Sequence, residues 1–267
     1  MLEALSYEFF QNALLAGLLL SIISGVIGSL IVVNRITFLA GGIAHSSYGG
    51  IGLAIYLGLP VLFGATVFAV ISAIIVAIIT LNNRNKADSI IGIMWAAGMA
   101  IGIVFVDLTP GYNVDLMSYL FGSILAVSYN DILYMFVLDV LLISLVLYFY
   151  KEILSVSYDA QFSSLRGISV KFFYTLILVM AALCIVAAIR VVGLILVIAL
   201  LTIPTYISLM YVNNLSKMMF LSSFFAALFT VIGLLLSYYY DISSGASIIL
   251  VSVFCLFFAK SIEKIKQ

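Results

Sequence analysis

Nine stretches of eighteen or more residues run through this chain almost without charge, at 12–33, 36–57, 60–81, 89–106, 132–150, 172–189, 191–212, 218–240 and 242–259. A hydrocarbon core ~30 Å thick is crossed by ~20 apolar residues in helical form, because a helix pairs its own backbone polar groups where no water can. Each run predicts a helix. The fold class that follows is all-α: a polytopic membrane protein of eight to nine transmembrane helices, a single domain over residues 1–267. Composition agrees, since 66% of the residues are hydrophobic and 8% are charged, far beyond what a soluble core of this size needs.

Between the fourth and fifth runs, Leu116 to Val127 is uncharged but too short to cross. It predicts a short re-entrant or interfacial helix, sheltered in a cavity or at the headgroups. Threading the nine runs alternately puts Arg35, Arg84, Lys86, Lys151, Arg166, Lys171, Lys217, Lys260, Lys264 and Lys266 on one side. The positive-inside rule makes that side the cytoplasm. The C-terminus is then cytoplasmic and the N-terminus external. Glu3, Glu8, Asp107, Asp115, Asp131 and Asp241 collect on the outer side, with Arg190 as the basic exception. Arg190 either snorkels to outer headgroups, the simpler reading, or pairs with one of those carboxylates.

Several function classes drop out. A net charge of zero with eleven scattered cations gives no basic stripe for nucleic acid. Cys184 and Cys255 lie in apolar runs without CxxC spacing and read as small buried hydrophobes. No basic region precedes the first run and no small-residue cleavage site follows a short one, so no removable signal peptide is expected. No GxxxxGK[ST] phosphate cradle occurs, and no nucleophile, base and orienter set suits an intramembrane hydrolase. A pore, a carrier, or one subunit of a larger pump remains, and it is not an enzyme.

The longest cytoplasmic connection, about Lys151 to Lys171, contains a short helix over about 157–167. Ser157 can cap it, Asp159 sits near its positive end, Arg166 near its negative end, and Gly167 can stop it. Tyr158, Phe162 and Leu165 recur at helical spacing and form one apolar face. That face either dips into lipid or docks on a cytoplasmic partner.

The segments 38–52 (FLAGGIAHSSYGGIG), 193–204 (GLILVIALLTIP) and 237–246 (SYYYDISSGA) resemble the permease family of ABC transporters for zinc, manganese and iron. The likeness spans essentially the whole chain. Residues 159–167 resemble that family's cytoplasmic coupling helix, and 117–125 (MSYLFGSIL) its outward-facing short segment. The resemblance implies an importer in which two copies of this chain form the pathway, two cytosolic ATPase subunits drive it, and an external binding protein delivers the metal. No cofactor is bound permanently; the divalent metal is cargo. Asp159, Phe162, Leu165, Arg166 and Gly167 would then meet the ATPase. One position departs: many members carry an aspartate four residues before the motif histidine, where this chain has Gly41.

His45, the sole histidine, lies ~13 Å into the second run at 1.5 Å per residue. An ionisable residue at that depth marks a functional site by default, and neutral imidazole binds borderline metals, zinc above all. The plainer alternative is a histidine bonded to a neighbouring carbonyl. Asp241 closes the eighth run on the outer side, where it would meet the incoming cation, or merely ends a helix in water. Asp139, eight residues into the fifth run, must be paired, protonated or beside water. Ser21/Gly25, Ser46/Gly50 and Gly98/Gly102 are small pairs four apart that let helices touch in lipid. Pro204 predicts a kink in the seventh run, and Tyr238 to Tyr240 an interfacial belt. One histidine and two or three carboxylates cannot build a tight zinc or manganese site alone. The expected pathway is therefore a low-affinity conduit between two protomers. A permease for a metal chelate or vitamin, or an independent secondary carrier, are the alternatives.

Overall fold

In lipid a chain without helical pairing would strand its own N–H and C=O groups, and the apolar runs do form helices. The computed structural model describes residues 6–81, 87–110 and 124–266. In them lie α1 (Glu8–Val33), α2 (Thr37–Leu57), α3 (Val61–Leu81), α4 (Ala87–Asp107), a 3₁₀ turn (Ile124–Ala126), α5 (Tyr129–Tyr148), α6 (Tyr150–Tyr158), α7 (Ala160–Leu165), α8 (Val170–Tyr211), α9 (Leu215–Tyr240) and α10 (Ser244–Lys266). Every described element is helical. Apart from the 3₁₀ turn and its flank, the short outer helix expected at 116–127 falls outside the described residues, as do Glu3, Arg84, Lys86 and Asp115.

Among the described residues seven segments are long and apolar enough to cross a membrane: Glu8–Val33, Val61–Leu81, Asp88–Asp107, Tyr129–Tyr148, Val170–Leu194, Leu215–Tyr240 and Ser244–Lys264. α2 has 21 residues, but its Gly, Ser and His content keeps it out of that set. Leu196–Tyr211 is apolar but shorter.

The sixth and seventh predicted runs are joined in α8, where Gly193 alone leaves helical geometry (φ 75°, ψ 172°). The chain doubles back there. Tyr174 at the start of α8 shares a 3.2 Å hydrogen bond with Thr80, at the end of α3. Sixteen residues on, ~24 Å along a helix, Arg190 reaches the first turn of α5. The Val192 carbonyl and Leu196 lie against Gly245 in the first turn of α10. Beyond the turn Leu201 and Thr205 meet Gly28 of α1, and Tyr206 lies 5.4 Å from Lys260 Nζ, far down α10. Pro204, expected to bend this run, sits in helical backbone. A residue with positive φ reverses the chain at once, and that conformation is open to glycine.

α1 and the two legs of α8 form the centre, with α2, α3 and α4 on one flank and α9 and α10 on the other. The predicted small residues make the closest approaches. Gly25 lies against the Ser223 backbone, Gly50 against Gly64, and Gly98 and Gly102 against Ser46 and Tyr48, which gives dispersion contact in a solvent that offers helices no hydrophobic drive. Charge separates by end. Arg35, Asp88, Lys151, Glu152, Asp159, Arg166, Lys171, Lys217, Lys260, Glu263 and Lys264 mark a basic end, and Glu8, Asp107, Asp131, Arg190 and Asp241 an acidic one. Arg190 corrects the simpler expectation of snorkelling: its Nε donates to Asp131 Oδ1 at 3.1 Å. Asp131 is available because its other oxygen accepts from the Ser128 N–H and hydroxyl in the capping box that starts α5.

Candidate functional site

α2 and α4 run side by side in the same direction, meeting at Gly42 and Ile91, at Ser46, Gly49 and Gly98, and at Gly52 and Gly102. A Cβ on Gly98 would stand 2.5 Å from the Ser46 Cα, so the two backbones touch. Large side chains on this seam are forced flat, and two of them are His45 and Trp95. Their rings stack with centroids 4.0 Å apart, 11° from parallel. Trp95 Nε1 donates to Met99 Sδ one turn on, at 3.1 Å. The indole also covers Gly41: a Cβ there would stand 4.0 Å from Trp95 Cζ3 and 3.3 Å from Ile198 Cδ1. His45 Nδ1 is buried without a hydrogen-bond partner, and the structural alternative of a carbonyl-bound histidine finds no such bond at that atom. Sequence reasoning passed over Trp95, although it is the chain's single tryptophan.

Asp241 caps α9 in the left-handed region (φ 52°, ψ 44°) and is exposed at the acidic end. His45 is ~12 Å up α2 from the basic end. α2 packs on α4, α3 and α8, whereas α9 packs on α1, α10 and α8. The structure does not gather the two into one site. Among the described residues no group of three His, Cys, Asp or Glu side chains stands close enough to hold a metal. Asp139 is buried in α5 with Oδ2 unpartnered. Cys184 is buried, Cys255 is half-buried, and both are free thiols.

The cytoplasmic-type connection is built differently from expectation at two points. The chain is extended at Asp159, so the helix expected over about 157–167 is α7 (Ala160–Leu165) alone and Tyr158 is the last residue of α6. Ser157 is not the cap; it lies inside α6 and accepts a 2.9 Å hydrogen bond from Asn34 Nδ2 at the end of α1. Asp159 takes the cap, its Oδ1 accepting from the Phe162 N–H at 2.8 Å. The reason is the backbone: Ser157 is helical inside α6, whereas Asp159 has the extended conformation (φ -146°, ψ 96°) that an N-cap takes and is exposed. Ser163, the buried residue of α7, shares a 2.7 Å bond with Ser155. Gly167 ends the turn at φ 77°. The apolar face stands out: Tyr158 is 60%, Phe162 47% and Leu165 88% exposed. The Arg166 guanidinium lies 4.7 Å over the Phe162 ring. Behind α7 is a cleft of about 320 Å³ walled by Leu81, Val156, Val170 and Tyr174.

The described chain is a helical membrane bundle with a small-residue seam, one half-buried imidazole and an exposed apolar knob at its basic end. The chain belongs to the ABC 3 transport family, which matches residues 6–263. It is 34% identical over 255 residues to the manganese transport system membrane protein MntC of Listeria monocytogenes, covering 96% of this chain and 91% of that one. An uncharacterized membrane protein of Synechocystis is 46% identical over 94% of this chain and 90% of its own length. Among solved structures, PsaBC from Streptococcus pneumoniae in complex with Fab matches with TM-score 0.84 and 32% identity, over 95% of this chain and 91% of that chain.

Proposed function

We propose that this chain is the membrane-spanning subunit of an ATP-driven importer that conducts a divalent transition metal from an external binding protein to the cytoplasm, manganese ahead of zinc and iron. The observation that carries this reading is the capped, exposed knob of Tyr158, Phe162 and Leu165 on a chain without any nucleotide cradle of its own. An apolar face so exposed at a basic, water-facing end favours a protein partner, and a cytosolic ATPase subunit fits. α2 and Leu196–Tyr211 complete nine crossings in this reading, with the C-terminus in the cytoplasm. His45 offers one nitrogen to the passing ion, and Asp241 meets it at the outer mouth. So few ligands per chain favour a weak site shared by two copies, which lets the ion leave as well as enter. Imidazole by itself leans to zinc; the manganese systems named among the relatives shift the first choice.

The complete complex, reconstituted in vesicles with ATP and given manganese, zinc and iron(II) in competition, tests this. Uptake led by manganese and lost in His45→Ala is the expected result. Normal uptake by His45→Ala at equal expression, or transport of a metal chelate but no bare ion, refutes it.

A further inference from the structure

We propose that Trp95 is the positioning residue for His45: its indole face fixes the imidazole plane and favours the ring when it carries a divalent cation. The inference rests on the reading of His45 as a ligand to the transported ion.

A metal-binding histidine is normally oriented by a hydrogen bond from its second nitrogen to a carboxylate or carbonyl. Nothing of the kind holds Nδ1 here. The ring is held by the parallel stack at 4.0 Å, and the stack is itself held. Trp95 cannot swing outward without losing the Nε1 to Met99 bond. Backbone contact between Ser46 and Gly98 keeps both Cα atoms at one separation.

A cation bound at a nitrogen draws density from the imidazole and makes it partly positive. The face of an aromatic ring is the negative pole of its quadrupole, so the indole attracts the loaded ring more than the empty one. Indole also blocks one face of the imidazole. Approach is then confined to the ring edge, where the lone pair points.

Trp95 is the chain's single tryptophan, and Trp95→Phe in the same complex supplies the emission blank for any tryptophans of the partner subunits. In the complete complex, Trp95 emission is followed while zinc or manganese is added, alongside uptake kinetics for Trp95→Leu, Trp95→Phe and His45→Gln. Expected results are an emission change on adding zinc that His45→Gln abolishes, a rise of about 2- to 30-fold in KM for Trp95→Leu with a smaller change in maximal rate, and partial recovery in Trp95→Phe. Emission blind to zinc in a complex that transports it overturns the proposal, as does an unchanged KM in Trp95→Leu. Either result, with transport still lost in His45→Ala, leaves His45 as a ligand and removes only Trp95. Normal transport by His45→Ala sinks both.

Discussion

Leu165→Ala separates docking from folding. Leu165 is 88% exposed, so truncation removes almost nothing that the folded chain uses, and surface changes of this kind stay within about 0.5 kcal/mol. On a partner the same side chain would be buried, and losing three carbons costs about 0.8 kcal/mol each, about 2.4 kcal/mol in all. That is roughly a 60-fold rise in dissociation constant. The assay is binding of the purified ATPase subunit to the permease in lipid nanodiscs, with thermal unfolding of the permease recorded in parallel. Phe162→Ala should act in the same direction and also strip the surface on which the Arg166 guanidinium rests. Unchanged affinity in both variants refutes the reasoning, and so does an unfolding shift large enough to explain the loss.

Gly193→Ala should cost about 1–2 kcal/mol, since φ of 75° is strained for any residue with a Cβ; thermal unfolding in detergent checks it. Gly52→Ala drives a methyl into the Gly102 backbone, and overpacking of about 1–3 kcal/mol should loosen the α2/α4 seam and lower uptake together with stability. Asp139→Asn keeps the shape of a buried carboxyl whose Oδ2 has no partner while removing a group costing about 2.5–3.5 kcal/mol to insert. Expression and thermal stability should hold or improve, and a loss of uptake without a loss of stability would assign Asp139 to the pathway instead.

The helices were legible because lipid imposes one rule on every span, and runs such as 60–81 and 218–240 coincide with α3 and α9 within a few residues. The reversal between the runs 172–189 and 191–212 was marked by Arg190, but that Gly193 makes it was not, because a turn made by one residue needs no polar loop to show its place. Arg190 carried the hint, being the single basic residue expected at the acidic end, yet which carboxylate it meets depends on α5 packing beside α8. Ser157 and Asp159 are equally good caps by type, and the choice between them follows from where the helix breaks: α6 runs on to Tyr158 and the chain is extended at Asp159. The same holds for the seam. Small residues at 46, 50, 98 and 102 announced close contact, but that α2 meets α4 in parallel, ring on ring, is a tertiary fact.

A hairpin closed by one glycine has no spare chain. With Gly193 as its joint and Arg190 bonded to α5 beside that joint, the two legs of α8 are fixed to one another covalently at the acidic end, while toward the basic end each is placed by the helices it meets: the first by α3, through Tyr174 and Thr80, the second by α1 and α10, through Leu201 and Tyr206.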